Sequence, residues 1–341
     1  ATSAAPGNGS KTGEATFSVS ISNMPAGGYV KWSVPPANDG DYTLKNGPKA
    51  TIGKQVTVQG IKPGLSHIDV EVKNVSDQTV QSLKLPLSIP QFVTIEESAA
   101  EFDQALTDLG LTTLKDAIIG TAKTTCDHLL VGTNVRTIWQ LGTFSETLPA
   151  HIPANKVTKM TVRNQHATDL YTMGVTHNVA GAVDNIVPNR TIDIYPNAFD
   201  DSLPNGAVDP TGLDVETQAL LIQLKSQGVG GDPQLEQFAS DFYGRLIGET
   251  MAHEIIHALL WDIIEKNGHN DPTIADDIMN NGGRRTYTQR TGFVDDAMQS
   301  PVDPDNFTDN GLGAINRLQT VNQERMDQHF PVPGARMTSF K

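Results

Sequence analysis

Three residues in one short run have the types and spacing to do chemistry together. His253, Glu254 and His257 stand as His-Glu-x-x-His within Glu249-Thr250-Met251-Ala252-His253-Glu254-Ile255-Ile256-His257-Ala258-Leu259-Leu260. On a helix, positions i and i+4 lie one turn apart on one face. Two imidazole nitrogens can then meet a single metal ion, while Glu254 sits one position round the helix, within reach of a bound water. Two neutral histidines, an open coordination position and a carboxylate to take a proton are what peptide hydrolysis at zinc requires. With 9 His and at most 39 acidic residues in 341, chance yields at most roughly three such patterns per hundred chains of this composition. The spacing therefore needs support from its surroundings.

Periodicity supplies that support. Phe242, Leu246, Ile247, Met251, Ile255, Ala258 and Leu259 recur at three- and four-residue intervals, the mark of an amphipathic helix. The pattern predicts a helix from about Pro233 or Phe238 towards Asn267, with both histidines beside its apolar face. Two helix histidines making ordinary hydrogen bonds is the bland alternative, and it explains less.

A catalytic zinc takes three protein ligands and leaves a fourth position to water. His269 and Asp277 are alternatives for the third. Asp277-Ile278-Met279-Asn280 looks like the methionine turn of metzincin-like peptidases, which favours His269, yet position 260 is Leu where that pattern has Gly. Residues 258–266 are good helix sequence and Gly268 is a natural stop. A helix reaching Asn267 would end about 15 Å beyond His257 at ~1.5 Å per residue, out of reach for His269. Asn270-Asp271-Pro272-Thr273 would then start a second helix that returns Asp277, the gluzincin-like solution. Asp295, Asp296, Asp303 and Asp305 hold a minor share. Glu249, one turn before His253, is a candidate to orient an imidazole, with an exposed acid as the equal alternative. Tyr287, Arg284, Arg285 and Arg290 follow the motif and one of them could stabilise an oxyanion, although a solvated loop with ordinary charge pairs is the commoner outcome.

These residues must be positioned by a folded scaffold, and composition allows one. An apolar fraction of 38% with 19% charged residues describes a globular chain with a sizeable core. No apolar run approaches the roughly 18 residues of a bilayer span, so membrane insertion is not expected. The net charge of −14 argues against nucleic acid as a partner, since phosphates demand a basic patch. The single cysteine, Cys126, excludes an internal disulfide framework and a thiolate zinc site; a small buried residue is the expected role.

Organisation changes twice along the chain. Residues 1–12 read as a flexible linker. Residues 13–92 alternate with period two, at Phe17, Val19 and Ile21, at Val30, Trp32 and Val34, at Val56 and Val58, at Ile68, Val70 and Val72, and from Leu83 to Ile89. Turn signals between these runs predict a small all-β sandwich resembling immunoglobulin-like or transthyretin-like modules. His67, beside one of these strands, is expected to be structural. From residue 93 to 341 the period becomes helical at Phe102, Leu106, Leu109, Leu114 and Ile118. Strands are expected near Val157–Val162 and at Thr191–Ile194, the latter held to an edge or an end by Pro196. A helix is expected over residues 214–227, stopped by Gly228. The fold class is thus an α+β metallopeptidase domain behind a β-sandwich.

The run from His253 to Leu260, then Gly268-His269-Asn270, Asp277-Ile278-Met279-Asn280 and Arg290-Thr291-Gly292, resembles zincin metallopeptidases of bacterial effectors. The kind it is most similar to is the C-terminal toxin domain of evolved type VI secretion spike (VgrG-type) proteins. The resemblance covers about forty residues. It implies a zincin-like fold, Zn2+ as cofactor, a protein or peptide substrate in a target cell's envelope, and delivery to that cell's periplasm without a signal peptide. An upstream secretion spike and a cognate immunity protein would be the partners. A rival expectation, from a different class, is a secreted binding or adhesion protein whose zincin-like domain is inactive or holds only a structural metal.

Overall fold

A computed structural model describes residues 13–47, 49–98, 100–131, 133–164, 172–177, 190–198, 215–260, 278–279 and 290–291. His269, Asp277 and Tyr287 lie outside the described residues, as do Arg284, Arg285, Asp295, Asp296, Asp303, Asp305 and the linker of residues 1–12.

Seven strands build the first part: β1 (Glu14–Ser18), β2 (Tyr29–Ser33), β3 (Tyr42–Leu44), β4 (Ala50–Ile52), β5 (Gln55–Gly60), β6 (Gly64–Lys73) and β7 (Thr79–Ile89). They form two antiparallel sheets, ordered β1-β5-β3 and β4-β2-β6-β7. Alternation sends Tyr42, Leu44, Val56 and Val58 of one sheet and Val30, Trp32, Ile68, Val70, Leu87 and Ile89 of the other into one shared core. The two large aromatics satisfy their polar tips on backbone carbonyls, Trp32 Nε1 donating to Gly53 O (2.7 Å) and Tyr42 OH to His67 O (2.7 Å), as buried Trp and Tyr must. His67 stays in β6 with its Nε2 3.9 Å from Asp69 Oδ1.

The sheets change at Pro90. β8 (Gln91–Glu97) joins β9 (Val135–Gln140), β10 (Val157–Val162), β11 (Gly174–His177) and β12 (Thr191–Ile194) in a third sheet of order β11-β12-β10-β8-β9. β8, β9, β10 and β12 are mutually parallel, and β11 runs antiparallel at one margin. Parallel neighbours need long crossovers; α1 (Glu101–Asp108) and α2 (Lys115–Leu129) provide the one between β8 and β9. Two further helices, α3 (Val215–Gln227) and α4 (Pro233–Leu260), follow. Gly228 ends α3 at φ +65°, a left-handed conformation that glycine adopts without steric cost. One core joins the sheet to the helices: Val93, Ile95, Trp139, Met160, Val162, Ile192 and Ile194 pack with Phe102, Ile118, Phe242, Leu246, Met251 and Ile255.

Five strands, β3, β4, β8, β9 and β11, go beyond the sequence expectation, and one placement refines it. β9 carries Val135, Thr137, Ile138 and Trp139 all buried, because a parallel strand is covered on both faces and loses its alternation. β11 is only four residues long, too short for a periodic signal. β12 lies inside the sheet between β11 and β10, so Pro196 marks the end of that strand, not an edge.

Candidate metal centre

The motif helix starts from a local signal. Asp232 Oδ1 accepts the Gln234 N–H at 2.9 Å, and Pro233 occupies the first helical position, where its missing N–H costs nothing. From Phe238 to Leu259 α4 is buried, so the helix expected to be amphipathic is covered on every side, its polar residues included. It approaches α2 at backbone distance. A Cβ at Gly244 would stand 2.5 Å from Thr121 Cβ, and one at Gly248 2.5 Å from Ala122 O; only glycine permits that proximity.

Polar side chains in such a helix are costly unless partnered, and those of the motif have partners. His253 and His257 are each 3% exposed and Glu254 6%. His253 Nδ1 lies 2.6 Å from Ile278 O. A carbonyl only accepts, so Nδ1 carries the proton and the Nε2 of a neutral His253 presents its lone pair. That Nε2 is 2.9 Å from His257 Nε2, the two rings standing at 85° with centroids 4.3 Å apart. Glu254 Oε1 is 4.0 Å from His253 Nε2. Its other oxygen, Oε2, takes a hydrogen bond from Thr176 Oγ1 at 2.7 Å. Among the described residues, His253, Glu254 and His257 are the group whose ligand atoms lie within 4.8 Å of one another and could hold a metal ion.

The donor set fits such an ion. Two imidazole nitrogens converge, one with its tautomer fixed for ligation by a backbone carbonyl, which is how metal-binding histidines are oriented. Zinc–nitrogen bonds of ~2.0–2.1 Å at a tetrahedral angle would place the two nitrogens about 3.3 Å apart, a few tenths of an ångström wider than they stand.

Glu249 and Arg290 acquire a structural reading. Arg290 Nη1 donates to Glu249 Oε2 at 3.1 Å and to Thr250 Oγ1 at 3.4 Å, with both charged side chains buried. The His253 imidazole is oriented by Ile278 O. One turn of helix earlier, Arg245 Nη1 donates to Thr291 O at 2.7 Å, so two buried arginines fasten the 290–291 segment to α4. Burial lowers the Arg245 pKa to about 10, partly offset by Asp241. Ile278 and Met279 form a turn, fully buried in the core that contains α4.

Two site residues had no sequence signal. Thr176 and Gly174 face Glu254 from β11: a Cβ at Gly174 would stand 2.8 Å from Glu254 Cγ and 3.0 Å from Thr250 Cγ2. They lie 78 residues from Glu254 in the case of Thr176, and only sheet assembly brings them together. A separate cleft of about 470 Å³ runs along α2 and the first half of α4, lined by Thr121, Lys123, Asp127, Asp241 and Arg245. Its charges already have partners, Lys123 on Asp127 (2.6 Å) and Gln237 on Asp241 (2.9 Å). No family model matches the chain, and neither the curated proteins nor the solved structures yield a match.

Proposed function

We propose that this chain is a zinc-dependent metallopeptidase with a zincin-like catalytic domain. The observation that carries the reading is the buried pair of Nε2 atoms 2.9 Å apart, with Glu254 Oε1 4.0 Å from one of them. His253 and His257 would hold the ion, with His269 or Asp277 as third ligand. When bound, zinc would lower the pKa of its water towards neutrality and polarise the scissile carbonyl. Glu254 is the general base, its Oε1 on the histidine side and its Oε2 turned to Thr176. As the acid it forms, it returns the proton to the leaving amine.

Substrate orientation has a physical basis in β11. Among the described residues its ladder partner is β12 alone, so its outer edge can take an extended peptide by strand addition. Thr176 on that strand touches Glu254 directly, which sets a peptide paired there beside the base. The third ligand and the oxyanion role of Tyr287 rest on the sequence. The wider setting, a secreted antibacterial effector acting on a target-cell envelope protein, rests on the resemblance of residues 253–292 and on the two-sheet module ahead of them.

Elemental analysis tests the centre. One zinc per chain is expected in the wild type, lost in His257→Ala and in one of His269→Ala or Asp277→Ala. No zinc after metal is offered and excess removed would reject the reading and favour the binding protein.

A further inference from the structure

We propose that Thr176 is a positioning residue for Glu254, and that strand β11 rather than the motif helix decides which carboxylate oxygen faces the histidines. The inference rests on the metallopeptidase reading and deepens it.

Thr176 is 5% exposed. Its Oγ1 stands 2.7 Å from Glu254 Oε2 and 2.9 Å from Glu254 O. A hydroxyl has one proton, and both neighbours only accept. Within a continuous helix the backbone carbonyl of residue 254 already serves the N–H four residues on. The carboxylate is the shorter contact and the charged acceptor, and charge-assisted hydrogen bonds are the stronger kind. The hydroxyl proton therefore goes to Oε2, which leaves Oε1 towards His253 Nε2.

Gly174 completes the arrangement. It lies on the same face of β11, two residues before Thr176. A side chain there would press on Glu254, with an ideal Cβ 2.8 Å from Cγ and 3.1 Å from Oε1. The strand thus offers Glu254 a hydroxyl at one position and empty space at the other. Four ladder pairs, Gly174↔Ile194 to His177↔Thr191, hold β11 to β12. On the opposite face His177 Nε2 lies 2.8 Å from Asp193 Oδ2, and Asp193 Oδ1 accepts Arg163 Nε at 2.7 Å. A strand anchored on both faces is a firm reference for a side chain on a different element.

The test uses the full zinc-loaded chain as wild type, Thr176→Val, Thr176→Ser and Gly174→Ala, with zinc content measured for each. Casein cleavage is separated into kcat and KM, and binding of acetohydroxamate, a zinc-directed ligand that also donates to the base, is followed by calorimetry. Thr176→Val is expected to keep its zinc and its KM while kcat falls about tenfold to a hundredfold. Acetohydroxamate affinity should fall by roughly fivefold or more. Thr176→Ser, which restores the hydroxyl, should recover both to within about threefold. Gly174→Ala should lower kcat with the hydroxyl still present. Wild-type kcat and hydroxamate affinity in Thr176→Val overturn the proposal, as does a Ser variant as impaired as the Val one. A wild type that takes up no zinc overturns this inference together with the reading beneath it. A wild type that binds zinc and hydroxamate but leaves casein intact places the failure in the peptidase reading, and the hydroxamate comparison then decides Thr176 alone.

Discussion

Glu254 and His253 divide their hydrogen bonds by atom. The Nδ1 proton of His253 is committed to Ile278 O, and one carboxylate oxygen is committed to Thr176, so the remaining nitrogen and oxygen face the same space. Glu254→Gln keeps the size and a carbonyl oxygen to accept from Thr176 but removes the carboxylate proposed as the base. Zinc content should stay at the wild-type level while cleavage of an unstructured protein drops by about a hundredfold or more; retained cleavage in a zinc-loaded Gln variant contradicts the mechanism. Cys126 gives a second, independent reading at this scale. Burial pushes its thiol well above the ordinary range, and the thiolate is the reactive form. A thiol-reactive disulfide reagent should leave the folded protein unlabelled and label one site per chain after denaturation. Rapid labelling of native protein would mean that Cys126 is reached without unfolding.

At the scale of elements, the contact between α2 and α4 is set by glycine. Gly→Ala in an exposed helix interior gains about 1 kcal/mol, because alanine loses less backbone freedom. At Gly248 the new methyl would meet Ala122 O at 2.5 Å and Thr125 Cβ at 2.8 Å, and overpacking of this kind costs typically about 1–3 kcal/mol. With contacts this short the steric effect is the larger, so Gly248→Ala should destabilise by up to about 2 kcal/mol, read as a lower urea midpoint at unchanged slope. A gain in stability would show that the helices can separate freely. Arg290 makes the same point through charge. Its removal would leave Glu249 buried without its 3.1 Å partner, and breaking a buried pair from one side costs about 3–5 kcal/mol. Arg290→Ala should therefore unfold at markedly lower temperature than Arg290→Ala/Glu249→Gln, in which no charge is stranded.

For the whole molecule, the metal is expected to stabilise only one of the two parts. Sheets β1-β5-β3 and β4-β2-β6-β7 enclose their own core, separate from the core that holds the histidines. A ligand that binds only the folded state at a hundred times its Kd adds about 2.7 kcal/mol. Chelation should lower the unfolding midpoint of the part from β8 onward and leave the two-sheet module where it was, which calorimetry with and without a chelator can resolve. Acid dependence carries a second signature. Asp241 has its pKa raised from 3.8, chiefly by burial, against lowering by the Gln237 hydrogen bond, the Arg245 charge and the Thr121 hydrogen bond. The folded state thus holds its proton to higher pH than the unfolded one. By linkage, stability falls as pH rises from the unfolded value through the folded one, and is level above that. Relative to Asp241→Asn, wild type should be at its best in acid and lose ground through the carboxylate range. The opposite slope would show that Arg245 outweighs burial.

Elements whose information is local are legible in the chain alone. Period-two runs at Val30–Val34, Ile68–Val72 and Leu83–Ile89 mark β2, β6 and β7. The three- and four-residue spacing around His253 marks α4, and Gly228 marks the end of α3. His253 and His257 share a helix face because the backbone alone puts residues four apart one turn above another. Everything that reaches across the chain depends on the fold. The sequence left Glu249 poised between orienting a histidine and being exposed, and Arg290 among the oxyanion candidates; folding buries them against each other. The orienting group for His253 is the main-chain carbonyl of Ile278, which no side-chain pattern can advertise. Thr176 reaches Glu254 only because a four-residue strand at the margin of a sheet lies against the motif helix. Local spacing fixes what one helix presents, whereas the partner of a buried polar atom depends on which distant backbone the collapsing core brings beside it.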